Sequence, residues 1–146
     1  MTSAAIDAAT LPGRACSAAA ALEFVGDRWS LLAVREISYG NHHFNEIARH
    51  TGAPRDRLAA RLKRLVEVGV LTRGDGYHLT EAGMELREVL WALVKWGNKW
   101  ALTEPVTRLE HHHDHDFVAV PVCEQCGERA LASEVSVSRP RPSHTG

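Results

Sequence analysis

Cys123 and Cys126, three positions apart and followed by Gly127, are the residues of this chain best suited to coordination chemistry. Two thiolates on one tight turn can take adjacent corners of a tetrahedron, the geometry zinc adopts with sulfur and nitrogen ligands. Histidine would supply the other corners. The run His111-His112-His113-Asp114-His115-Asp116 lies just upstream, and in an extended segment His113 and His115 point the same way. Cys123, Cys126, His113 and His115 are thus the candidate ligands of a structural zinc. Other readings stay open: two cysteines, reduced or disulfide-linked, that cap a small β-hairpin; a redox Cys-x-x-Cys, which here lacks the activating helix start; and a histidine run that is a solvated, loosely metal-binding linker.

The third cysteine, Cys16, stands at the start of a helix-forming stretch, two residues after Arg14. A helix N-terminus and a nearby cation both favour the thiolate, so Cys16 reads either as a redox sensor or as an inert, partly buried thiol. No nucleophile–base pair, glycine-rich phosphate loop or pair of catalytic carboxylates occurs at a workable spacing, so enzymatic activity is not expected.

Charge is the other chemical signal. Between positions 49 and 73 stand Arg49, Arg55, Arg57, Arg61, Lys63, Arg64 and Arg73 against Asp56 and Glu67. That local excess of about five positive charges sits in a chain whose net charge is −1, and it implies a polyanionic partner. A solvated helix surface with a chance excess of arginine is the plain alternative.

These cations must be carried by helices. Phe44, Ile47 and Ala48 give one buried helical side, Thr51-Gly52-Ala53 breaks it, and Pro54 suits the first turn of the next helix, where its missing N–H has no partner to lose. Over 54–68, Leu58, Leu62 and Leu65 recur on one stripe, which at 3.6 residues per turn puts Asp56, Arg57, Ala60, Lys63 and Arg64 on the other side. A small residue such as Ala60 lets a helix approach base edges, and flanking arginines can pair bidentately with guanine. Val70-Leu71 and Tyr77-His78-Leu79 then predict a hairpin around Gly74-Asp75-Gly76, with Arg73 at its base where a wing reaches the neighbouring backbone. Arg55, Arg57, Ala60, Arg61, Lys63, Arg64 and Arg73 are the expected contacts to double-stranded DNA.

Around this segment the sequence predicts three further helices. CSAAAALEF over 16–24 is a strong helix former; Asp27 caps a second helix over 28–39 with Trp29, Leu32, Ala33, Glu36 and Ile37 on its inner stripe. A long helix over 80–102 puts Leu86, Leu90, Leu93, Val94 and Gly97 on one stripe, widened by Val89, Trp96 and Trp100. So wide an apolar arc on a late helix suggests a dimer interface, packed against the helix that begins near Cys16. Burial within a monomer is the alternative.

The order and spacing of Cys16, Gly26-Asp27-Arg28-Trp29, Phe44-Asn45-Glu46-Ile47, Leu58-Ala59-Ala60-Arg61-Leu62, Gly69-Val70-Leu71, Tyr77-His78-Leu79-Thr80, Gly83 and Trp96-Gly97 resemble the HxlR-type winged-helix transcriptional regulators of bacteria. The resemblance covers 16–100. It implies a homodimeric DNA-binding repressor or activator with the 54–68 helix in the major groove, the hairpin as wing and no enzymatic activity. It also places Cys16 where several such regulators carry a redox-sensing thiol. The wing departs from the pattern: it is short and carries Asp75 at its tip, which opposes contact with phosphates.

Length and composition frame these expectations. At 146 residues, 45% hydrophobic and 24% charged, the chain can bury one core and carry a small appendage. No apolar run approaches the roughly 20 residues of a membrane span, and the start lacks the pattern of a secretory signal, so a cytoplasmic protein is expected. The expected fold is mainly α with a small β-hairpin, a winged helix-turn-helix. The domain reading is a disordered 1–13, a DNA-binding and dimerisation domain over 14–104, a small β-rich tail over 105–137 with strands at 117–122 and 135–137, and a disordered 138–146. The leading function is a DNA-binding regulator, switched by an oxidant or a small molecule and needing no cofactor to bind DNA. The competing one is a winged-helix module that docks a protein partner through its long apolar helix.

Overall fold

The computed structural model describes residues 4–138, so most of the segment 138–146 lies outside the described residues. It divides into two compact units, Met1–Pro105 and Val106–Gly146. Residues 4–13, expected to lack structure, include one 3-10 turn at Ala8–Thr10, and Ala4 packs against the core.

The first unit is helical with one hairpin. Helix α1 (Ser17–Val25) leads through Gly26 to α2 (Arg28–Ser38), where the Asp27 carboxylate accepts from the N–H groups of Trp29 at 2.9 Å and Ser30 at 3.0 Å. Burial pushes the Asp27 carboxyl up, but Ser30, the Trp29 N–H and Arg61 together outweigh it and hold the group below its ordinary range. The inner stripe of α2 is Ser30, Ala33, Val34, Glu36 and Ile37. This corrects the expected stripe: Trp29 is only half-buried, with the Arg28 guanidinium 4.8 Å from its ring centroid, and Leu32 is likewise half-buried. Ser30 can go inside because its hydroxyl donates to Asp27.

Helix α3 (Phe44–Thr51) and α4 (Arg55–Glu67) form the helix-turn-helix, joined by Gly52-Ala53-Pro54. Pro54 stands at the cap, extended at ψ 135°, rather than inside the first turn, and α4 begins one residue later than expected. Buried Glu36 anchors the approach to α3: it accepts from Arg35 Nε at 2.6 Å and Asn41 Nδ2 at 3.0 Å, and Arg35 also donates to the His50 carbonyl at 3.0 Å. Leu58, Leu62 and Leu65 of α4 are fully buried with Val34 and Ile47, at the centre of one core.

The wing is β1 (Leu71–Gly74) paired antiparallel with β2 (Gly76–Leu79), Leu71 opposite Leu79 and Arg73 opposite Tyr77. Arg73 therefore lies one pair from the turn, not at the base as expected. Thr80 caps α5 (Glu81–Trp96), accepting from the Gly83 N–H at 3.2 Å and donating to the Gly69 carbonyl at 2.6 Å. The helix does not continue evenly to Leu102: from Gly97 to Ala101 it widens into a π turn. Leu86 and Leu90 pack against the core, while Val89, Leu93, Trp96 and Trp100 are 44%, 50%, 61% and 66% exposed. Leu93 thus belongs with the outward stripe, not with Leu86 and Leu90.

The second unit differs from the expected pattern. The histidine run itself forms a hairpin, β3 (Glu110–His111) with β4 (His115–Asp116), whose turn residues His112 and His113 have φ of 56° and 60°. The expected strands at 117–122 and 135–137 are not formed; 122 makes one isolated bridge, Val122 to Arg129, and a 3-10 turn spans Ala132–Glu134. Pro121 has no N–H to give to a ladder, which limits pairing there. The Cys123–Gly127 turn is closed by Cys123 N–H to Glu128 O at 2.9 Å and Gly127 N–H to Cys123 O at 2.7 Å. The backbone N–H of Cys126, then that of Gln125, then the Cys126 side chain hydrogen-bond the Cys123 thiol and hold it below its ordinary range. No residue of 106–138 is buried.

Candidate nucleic-acid interface

The interface is built on α4, because its leucine stripe is consumed by the core and its other sides are left to solvent. Arg55, Arg57, Ala60, Arg61, Lys63 and Arg64 are all exposed, as is Arg73 on the wing. They are not equivalent. At about 100° per residue, Arg57, Arg61 and Arg64 share one flank of the helix, and Lys63 lies toward the other. On the first flank Arg64 sits 5.7 Å from the Phe24 ring centroid, and Arg61 pairs with Asp27 at 3.9 Å. Arg61 is therefore partly neutralised by the cap of α2, a partner that local spacing does not reveal. On the other flank, Ala59, Lys63 and Val66 face Arg73 and Tyr77 of the wing across a cleft of about 730 Å³. Arg55 is turned back onto α3: its guanidinium lies 4.8 Å from the Phe44 ring centroid and donates to Asn45 Oδ1 at 2.8 Å.

The wing is held by residues that the sequence reading missed. The Tyr77 N–H donates to the His42 carbonyl at 2.8 Å, and His42 Nδ1 meets the Tyr77 carbonyl at 2.8 Å, so one backbone and one side-chain contact of His42 tie the stretch before α3 to β2. The His42 and His78 rings stack at 4.3 Å, and Arg73 lies 5.4 Å from the Tyr77 ring centroid. Gly76 allows this approach: its φ is 84°, and a Cβ there would stand 2.9 Å from the His42 oxygen. No local motif links positions some 35 apart, so only the folded chain brings them together.

Of the other candidates, Cys16 is exposed as the cap residue of α1. The backbone N–H groups of Ala19 and then Ala18 hold its thiol below the ordinary range, with burial opposing and Arg14 assisting. Cys123 and Cys126 stand together as free thiols. His115 stands with His111, their ring nitrogens 3.3 Å apart, while His113 sits in the turn. Among the described residues no three His, Cys, Asp or Glu gather into a set that could hold a metal ion, so the expected tetrad of His113, His115, Cys123 and Cys126 is not assembled. None of the described helices is long and apolar enough to cross a membrane.

The chain is similar to proteins described as helix-turn-helix transcriptional regulators. The family profile described as HxlR-like helix-turn-helix matches residues 24–105. An uncharacterized HTH-type transcriptional regulator of Mycobacterium tuberculosis is 38% identical over 128 residues, covering 80% of each chain. Among solved structures, PA1607, provisionally described as a transcription factor, superposes with a TM-score of 0.75 at 32% identity over 86% of this chain and 95% of its own. PA1374 of Pseudomonas aeruginosa, described in the same way, gives 0.61 at 28% identity over 86% and 92%. With helix-turn-helix, hairpin and matched length in agreement, the chain belongs to the HxlR-like helix-turn-helix family of transcriptional regulators.

Proposed function

We propose that the protein is a homodimeric, sequence-specific repressor that acts in the cytoplasm by laying α4 of each copy into the major groove of double-stranded DNA, without a cofactor. One observation carries this reading: α4 buries Leu58, Leu62 and Leu65 completely while keeping Arg57, Ala60, Lys63 and Arg64 exposed. Phosphate contacts by such cations release counterions, so affinity depends steeply on salt. The test is a gel shift with the fragment upstream of its own gene. Arg57→Ala with Arg64→Ala is expected to weaken binding at every salt concentration and to flatten the slope of log K against log salt by about two. Equal binding by variant and wild type at low and high salt would sink the reading.

Dimerisation is supported by Val89, Leu93, Trp96 and Trp100, whose alternating spacing of four and three makes one exposed seam along α5 and the turn after it. The same seam supports a second reading, a module that docks a protein partner. A monomer that binds a protein at any salt and retards no DNA would favour it. Two effectors fit the regulator: an oxidant at Cys16, and a small molecule between α2 and α5. Cys16→Ser is expected to abolish the response of DNA binding to hydrogen peroxide. An unchanged response excludes the thiol and leaves the small molecule.

A further inference from the structure

We propose that the second unit holds one zinc-class divalent ion per chain through His111 Nδ1, His115 Nε2, Cys123 Sγ and Cys126 Sγ. The proposal is independent of the DNA-binding reading and starts from a deficit. Chains below about 40 residues rarely fold on a hydrophobic core alone and usually need a metal, disulfides or association. The second unit, Val106–Gly146, stands at that size limit, none of its described residues is buried, and its two cysteines are free thiols.

Two donor pairs are already built in that unit. His111 Nδ1 and His115 Nε2 lie 3.3 Å apart as a hydrogen-bonded pair, and an ion takes the place of the proton between them, which moves to His111 Nε2. With Zn–N distances of about 2.0–2.1 Å, the edge of a tetrahedron is about 3.3–3.4 Å, so these nitrogens have the separation of two zinc ligands. The Asp114 carboxylate pairs with Nδ1 of His115. A carboxylate on that nitrogen keeps the proton there and leaves Nε2 as the lone-pair donor, the usual arrangement behind a ligating histidine. The second pair is the Cys123–Cys126 turn, in which Gly127 adopts φ 73° and the N–H groups of Gln125 and Cys126 point at Cys123 Sγ.

The donor set is thus Cys2His2 with His111 in place of His113, which sits in the β3–β4 turn rather than on a paired strand. The two pairs stand apart among the described residues and close on the ion as it binds, a coupling of metal to folding expected where the unit lacks a core. Each thiol gives up its proton to solvent, so two protons leave per ion, and the imidazoles bind neutral.

The test uses full-length protein, reduced and stripped with a chelator, titrated with Co²⁺ as a spectroscopic substitute for zinc. One equivalent is expected to saturate intense visible bands of tetrahedral cobalt together with thiolate-to-metal charge transfer, both displaced by Zn²⁺. Cys123→Ser and Cys126→Ser should each remove much of the charge transfer. His111→Ala and His115→Ala should weaken binding by at least about tenfold, whereas His113→Ala and Cys16→Ser should leave it unchanged. Absence of charge transfer in the wild type, saturation only after several equivalents, or loss in His113→Ala equal to that in His111→Ala would overturn the proposal.

Discussion

Gly83→Ala is expected to lower the melting temperature by about 10 °C, although alanine favours a helix interior over glycine by about 1 kcal/mol. A Cβ on Gly83 would lie 2.3 Å from the Val70 carbonyl oxygen and 3.2 Å from Leu79 Cδ2. That oxygen cannot easily move, because it accepts from the Thr80 N–H at 3.1 Å and the Thr80 hydroxyl at 3.0 Å. Overpacking costs about 1–3 kcal/mol, and contact with constrained backbone belongs at the upper end. The clash therefore exceeds the gain in helix propensity by about 2 kcal/mol. Gly97→Ala is the control: its Cβ would meet nothing within 4 Å, so its melting should stay close to wild type. Circular dichroism melts read both variants, and equal melting would mean that α5 can slide away from the base of the wing at little cost.

Trp96→Glu combined with Trp100→Glu is expected to give a folded monomer whose affinity for a paired operator falls by about 10²–10⁴-fold. Both side chains are mostly exposed in the single chain, so the substitutions remove little from its core. They would instead put charge into the seam with Val89 and Leu93, where buried tryptophans of an interface are commonly worth 2 kcal/mol or more each. Two joined copies engage two half-sites at once, and a monomer loses that effective concentration. Sedimentation equilibrium and a gel shift on the same preparation separate the steps. A variant that remains dimeric places the joint elsewhere, and a monomer with undiminished affinity removes the need for pairing.

Much of the first unit is legible locally. Leu58, Leu62 and Leu65 recur at helical spacing, Asp27 and Thr80 are strong cap residues, and Gly74-Asp75-Gly76 marks a hairpin. Hydrophobicity and burial part company at particular positions. Ser30 is buried because Asp27 satisfies its hydroxyl, while the bulk of Trp29 stays at the rim under Arg28. Leu93 resembles its neighbours in type, yet half of it is left exposed. In the second unit alternation points to His113 and His115 on one side, whereas two positive-φ residues reverse the chain and bring His111 opposite His115.

From residue order alone come the helices, the hairpin, the arginine-rich side of α4 and the family, since each follows from periodicity, caps and spacing within a few tens of residues. Folding decides which cations remain available and what supports the wing. Arg61 meets Asp27, Arg55 folds onto Phe44 and Asn45, and His42 joins β2 and stacks on His78. The physical reason is that charge pairing, stacking and steric contact act between atoms a few ångströms apart, and ten to thirty-five positions of intervening chain carry no local trace of which atoms will meet.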